Sequence, residues 1–164
     1  MIHRGFPLIQ TLLAGIGVHL ERWAADVNLD ASSSPEVVEI LYADLVERTK
    51  ARRGFLMHDI IMVDEHHPAK DELREMFLEE HTHKEDEARF MLEGSGLFSF
   101  HAGAGVYALT VERNDFVNVP AGMKHWFDMG PAPHFSAIRF FNNDEGWIAH
   151  FTGDPISQRF PRHG

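Results

Sequence analysis

The residues best suited to chemistry lie in one stretch, Glu80-His81-Thr82-His83-Lys84-Glu85-Asp86-Glu87-Ala88-Arg89-Phe90. It reads His-x-His-x-x-x-Glu. In an extended chain, side chains alternate between two faces, which puts His81, His83, Glu87 and Arg89 on one side and Phe90 and Leu92 on the other. Two imidazoles and a carboxylate suit a divalent first-row metal such as iron, nickel, manganese or zinc. A fourth donor is available downstream. His125 follows the turn Pro120-Ala121-Gly122-Met123-Lys124 and opens an extended apolar run. The competing reading is a pair of solvated histidines on a polar loop. The Glu at matching parity, the further His and the flanking strand-like runs favour the metal.

Donors from separate stretches need a scaffold to bring them together. Residues 7–14 read as a short helix, with Pro7 in the first turn and Gly15 as a stop. Residues 18–23 alternate like a strand, and 28–34 form a polar loop. Residues 35–53 read as the longest helix. Ser34 caps it, Val37, Leu41 and Leu45 form its apolar stripe, and Lys50, Arg52 and Arg53 precede a terminating Gly54. Residues 55–63 read as a strand. His66-His67-Pro68 reads as a solvated loop, and 69–78 as a helix with Leu73, Met76 and Phe77 on one face.

From His81 onward the pattern is of short strands: 87–92, 97–101, 106–112, 116–119, 125–129 and 135–141. Gly94-Ser95-Gly96, Gly103-Ala104-Gly105, Asn114-Asp115 and Gly130-Pro131 separate them. Regular short strands with tight turns predict an antiparallel barrel or sandwich.

The chain has 164 residues and a formal net charge of −10. That length suits one domain with a sizeable core. The charge argues against nucleic acid or an anionic membrane as partner. There is no cysteine, hence no disulfide and no thiolate metal site, which is compatible with a cytoplasmic location. Residues 6–20 follow Arg4 and mimic a secretory leader, but Pro7, Gln10, Gly15, Gly17 and His19 interrupt them. No apolar run reaches the roughly 18 residues of a membrane span.

The spacing is informative beyond the donors themselves. Six residues separate Glu87 from Gly94, and Asn114 is followed by Pro120, Gly122 and His125. This resembles the two sequence signatures of the cupin superfamily, a jelly-roll β-barrel (double-stranded β-helix) with its metal inside. Two glycine positions of those signatures hold Glu75 and Asn114 here, and Asn tolerates positive φ better than most residues. The resemblance narrows over Phe77-Leu78-Glu79-Glu80-His81-Thr82-His83, Val119-Pro120-Ala121, His125-Trp126-Phe127-Asp128-Met129-Gly130, Ile138-Arg139-Phe140-Phe141 and Glu145-Gly146-Trp147-Ile148-Ala149. These segments resemble the acireductone dioxygenase family of methionine salvage. The likeness extends from Leu20-Glu21-Arg22-Trp23 to Phe151-Thr152-Gly153.

The resemblance implies one mainly β cupin domain over residues 1–164, with peripheral helices and an N-terminal extension over about residues 1–70. It implies His81, His83, Glu87 and His125 as ligands to one Fe²⁺ or Ni²⁺ per chain. Four ligands on an octahedral ion leave two positions for a chelating substrate, whereas a closed tetrahedral zinc site leaves none. The implied substrates are O₂ and the acireductone 1,2-dihydroxy-3-keto-5-methylthiopentene, and the implied assembly is a monomer. Arg89 matches the residue that favours the substrate dianion. An ion pair with Glu85 or Asp86 near the surface is its alternative. Phe77, Phe127 and Trp147 match a pocket for the methylthio end, with ordinary core as the alternative. Arg139 matches a substrate-binding position. Glu80 and Asp86 match positions with roles in metal loading and conformational transmission, or are solvated charges. Two other functions remain open at this stage: a metal cupin oxygenase acting on another enolisable diketone, and a non-catalytic cupin that binds a metal or small ligand.

Overall fold

In a computed structural model, which describes all residues except 26, 31 and 32, the strands are organised by one of them. The elements run α1 (Phe6–Ala14), β1 (His19–Arg22), α2 (Pro35–Leu41), α3 (Ala43–Arg53), β2 (Met57–Val63), α4 (Lys70–Leu78), β3 (His81–Thr82), β4 (Glu87–Ala102), β5 (Gly105–Glu112), β6 (Asp115–Val119), β7 (Lys124–Asp128), β8 (Phe135–Phe141) and β9 (His150–Phe151). A short 3₁₀ turn, Pro155–Arg159, follows. All pairings are antiparallel. The first half of β4 pairs with β6 and β8, giving a layer ordered β1-β6-β4-β8-β2. Its second half pairs with β5 and β7, giving a layer ordered β5-β4-β7-β3-β9.

The two expected strands 87–92 and 97–101 are thus one strand of 16 residues. Gly94-Ser95-Gly96 does not turn the chain back. It bends β4 from one layer into the other, just after an irregularity in register between Met91 and Glu93. Gly94 has φ +69°, and a Cβ there would overlap the carbonyl oxygen of His134. A Cβ at Gly96 would overlap the Phe127 ring. Asn114 adopts φ 73°, the only non-glycine positive φ among the described residues, as its tolerance of that region predicts.

Alternation along β4 feeds two cores. Met91 and Phe98 join Phe77, Val117, Val119, Phe127, Phe135 and Ala137 in the barrel interior. Ala88, Phe90 and Leu92 face the other way and pack with Phe116, Ile138 and Phe140 against Val38, Tyr42 and Val46 of the helices. This second layer corrects the helix reading. The expected helix 35–53 breaks at Tyr42 (φ −105°, ψ 8°) into α2 and α3. Tyr42 thereby buries its ring edge-on to Phe90, with centroids 6.2 Å apart. The buried four-residue stripe is Val38, Tyr42 and Val46, one position beyond the expected one, and Val37 and Leu41 are exposed. Ser34 accepts from the Val37 amide at 3.3 Å, and Gly54 at φ +77° ends α3, both as expected.

Candidate metal centre

β3 is held between β7 and β9, which sets His81 directly opposite His125. The two imidazole centroids are 4.5 Å apart. His83 lies just past β3, and its carbonyl accepts from the Gly122 amide at 2.9 Å. That bond docks it beside the turn preceding His125. The candidate donor atoms of His81, His83 and His125 all fall within 4.8 Å of one another, and all three residues are buried. Glu87 reaches the cluster differently from the simple alternation expected. The chain bends at Lys84-Glu85 and re-enters as β4, so Glu87 comes back to the histidines on a second strand. Its Oε2 lies 2.8 Å from His83 Nε2.

The tautomers follow from the backbone. Nδ1 of His81 donates to the Glu79 carbonyl (2.7 Å), Nδ1 of His83 to the Ile148 carbonyl (2.9 Å) and Nδ1 of His125 to the Met123 carbonyl (2.8 Å). A carbonyl only accepts, so each Nδ1 carries hydrogen and each neutral ring has its lone pair on Nε2. A carboxylate oxygen facing such a lone pair at 2.8 Å requires a proton or a cation between them. Burial pushes the His125 imidazole down to about 3, with repulsion from His81 adding to it, and burial also lowers His81. Burial pulls His83 down too, but the Glu87 carboxylate outweighs it and raises the net value. Burial alone would raise Glu87, yet Arg89, His83 and His125 together hold it well below the ordinary carboxylate range. Two buried neutral imidazoles, and a third whose proton is shared with an ionised carboxylate, fit a divalent cation that takes that proton's place.

Arg89 borders this cluster. Its Nε donates to Glu87 Oε1 at 3.0 Å, so its carboxylate partner is Glu87, not Glu85 or Asp86. Its guanidinium carbon lies 5.6, 5.3 and 4.9 Å from the ring centroids of Phe77, Phe98 and Phe127. Nη1 is buried with no hydrogen-bond partner among the described residues. An unmatched buried donor costs free energy, and a ligand oxygen is the usual remedy in a site.

A sequence profile described as the ARD/ARD' family matches residues 3–149. The chain belongs to the ARD/ARD' family. It is 52% identical to the acireductone dioxygenase of Pseudomonas paraeruginosa over 93% of this chain and 84% of that protein. It is 49% identical to that of Synechococcus sp. over 96% of this chain and 87% of that protein. Among solved structures it matches the acireductone dioxygenase of Bacillus anthracis, which holds a cadmium ion in its active centre. The TM-score is 0.80 and the identity 28%, covering 91% of each chain. The cupin-type barrel expected for the family is the fold observed.

The remaining expected residues of this family member divide into those near the cluster and those away from it. Phe77 and Phe127 lie edge to face at 6.3 Å, both against Arg89. Phe98, which sequence reasoning missed, is directly opposite Phe127 in the β4–β7 register. Only that pairing, not the sequence spacing, identifies it. Arg139 is opposite Arg89 and forks onto Asp59 at 2.7 and 2.6 Å. The Asp59–Arg139 pair was likewise not legible in the sequence.

Trp147 is not gathered in. Its side chain is half exposed, 6.1 Å from the Phe141 ring, although the carbonyl of its neighbour Ile148 holds His83. Glu80 is no solvated charge. It is fully buried, with His101 Nδ1 at 2.7 Å and the Thr152 hydroxyl at 2.7 Å. Asp86 is half-buried and accepts from the Ala121 amide and the Asn118 side chain. His66 stays solvated in its turn, as expected.

Proposed function

We propose that this protein is an acireductone dioxygenase that uses O₂ to cleave 1,2-dihydroxy-3-keto-5-methylthiopentene in methionine salvage. The observation that carries the reading is the convergence of three buried imidazoles, one of them facing Glu87, beside a buried guanidinium whose Nη1 has no hydrogen-bond partner among the described residues. His81, His83, Glu87 and His125 are the proposed ligands. A bound Fe²⁺ or Ni²⁺ supplies Lewis acidity that favours the ionised enediol.

The chain's own groups do the rest. Arg89 stays charged at any working pH and offers Nη1–H to a substrate oxygen as negative charge builds on it. Phe77, Phe98 and Phe127 surround that guanidinium, exclude water and strengthen the interaction by lowering the local dielectric. The same rings offer an apolar wall to the methylthio end. Arg139 and Trp147 are proposed as outer parts of the substrate site, and Glu80 and Asp86 as supports of the ligand strands.

The finer reading is a cytoplasmic monomer, a single cupin domain with one metal per chain and no nucleic-acid or membrane partner. Among the described residues no helix is long and apolar enough to cross a membrane. The Fe²⁺ form is proposed to give formate and 4-methylthio-2-oxobutanoate. The Ni²⁺ form is proposed to give formate, carbon monoxide and 3-methylthiopropanoate. The experiment is to load apoprotein with each metal anaerobically, add acireductone in an oxygen electrode, and analyse acids and headspace gas. Metal-dependent oxygen uptake with these products is expected. No uptake by protein shown to be loaded would overturn the assignment.

A further inference from the structure

Arg89, Arg139 and Asp59 stand directly opposite one another on the adjacent strands β4, β8 and β2. Cross-strand partners share a face, and here it is the interior face that also carries Glu87. Two guanidiniums in directly opposed positions repel. Each is offset by its own carboxylate. Arg89 has Glu87 through one bond of 3.0 Å, and Arg139 has Asp59 through two bonds of 2.7 and 2.6 Å. The row therefore reads carboxylate, guanidinium, guanidinium, carboxylate.

The two ends of the row are used differently. Asp59 spends both oxygens on Arg139. Glu87 gives one oxygen to Arg89 and turns the other to His83 at 2.8 Å. On this face of β4 the carboxylate nearest Arg139 in the register is Glu87. It sits diagonally across the β4–β8 pair, where backbones lie about 7–8 Å apart and a long side chain can span the gap. A second guanidinium on Glu87 would occupy the oxygen that faces the histidines. It would also place further positive charge beside the cation site.

We infer that Asp59 is a positioning residue for the metal, holding Arg139 away from Glu87 so that the carboxylate stays available to the centre. The inference rests on the ligand set proposed above. It assigns Asp59 no contact with metal or substrate. Its effect runs through Arg139.

The test is Ni²⁺ affinity of the apoprotein, measured by competition with a colorimetric chelator, in Asp59→Asn, Arg139→Met and the double variant. Asp59→Asn should weaken Ni²⁺ binding about tenfold or more, the usual effect of removing an outer partner of a metal ligand. Arg139→Met alone should bind as the wild type does. The double variant should recover wild-type affinity, because the loose guanidinium is gone. Melting midpoints of the same variants are recorded, because a merely structural role for Asp59 would lower affinity only in step with stability. If Asp59→Asn alone does not fold, Asp59→Asn/Arg139→Lys and Asp59→Asn/Arg139→Met decide. The lysine variant keeps a loose cation and should bind Ni²⁺ more weakly than the methionine variant. Wild-type affinity in Asp59→Asn, no recovery in the double variant, or equal affinity in the lysine and methionine pair would each overturn the inference. Metal binding is read without turnover, so a failed oxygen assay would sink the proposed reaction and leave this result standing.

Discussion

Asp86 accepts a hydrogen bond from the amide of Ala121 at 2.9 Å, across the gap between the two halves of the candidate site. One residue on, the Gly122 amide donates to the His83 carbonyl at 2.9 Å. The bend that leads into Glu87 is therefore fastened to the turn that delivers His125. The donors come from two distant sequence segments but sit on one hydrogen-bonded unit.

Asp86→Ala should consequently weaken metal binding by about tenfold, as loss of an outer support does. Asp86→Asn keeps an oxygen for the Ala121 amide and should lie much closer to wild type. Chelator competition on both apoproteins reads the difference. Equal affinities in Asp86→Ala and wild type would show that the fastening does not matter to the centre.

Arg89→Met should reduce turnover by about 10²–10³, the usual effect of losing one donor aimed at developing charge. Because Arg89 is also the direct partner of Glu87, metal affinity should fall with it. Assays are therefore run at saturating metal. Raising the pH should restore part of the rate, since the substrate then ionises without help. A rate that stays flat with pH would argue against the dianion role.

Two of the positive-φ glycines, Gly94 and Gly103, separate backbone strain from steric overlap. Gly103 has φ +60° with nothing near its missing Cβ, so Gly103→Ala should cost about 1–2 kcal/mol. Gly94 has φ +69° and the His134 carbonyl in the way, so Gly94→Ala should cost about 4 kcal/mol or more. Urea unfolding measures both. Similar losses would mean that the bend of β4 tolerates a side chain.

Much of this was legible because the chemistry is local. The His81-x-His83 pair, Glu87 and the turn before His125 carry their residue types in plain view, and strand 135–141 was read to the residue. The misreadings have a common cause. Gly94-Ser95-Gly96 is a turn by composition, and only pairing partners on both sides make it a bend within a strand. Tyr42 is an unremarkable helix residue until Phe90 supplies a surface to break for. Phe98 becomes a site residue, and Asp59 the partner of Arg139, through cross-strand register, which depends on strands far away in sequence. Glu80 is polar and flanked by charge, so nothing local signals the partners His101 and Thr152 that let it be buried.

Glu21 offers a prediction in pH. Burial would raise its carboxyl, but hydrogen bonds from His19 and Trp23 and the charge of Arg53 prevail and lower it from 4.5 to about 2. A depressed carboxyl contributes stability that is complete above its unfolded value and is lost as the pH falls through its folded one. Thermal midpoints of wild type and Glu21→Gln should therefore differ most above pH 4.5 and converge towards pH 2. Circular dichroism melts across that window provide the check. A constant gap would mean that the charge of Glu21 contributes nothing to the link between β1 and α3.

β4 also determines how the protein can fail. Side chains on a strand have a period of two, so sliding β4 by one residue would send Glu87 and Arg89 into the helix-packed layer and bring Ala88 and Phe90 to the histidines. A strand confined to one sheet can make such a slip. β4 is clamped in both layers, and its bend occurs where only glycine fits, so it cannot shift in one layer without tearing the other. Partial damage then has no intermediate resting place. Catalytic competence and tertiary order should be surrendered in a single cooperative step, with activity and near-ultraviolet dichroism sharing one denaturant midpoint.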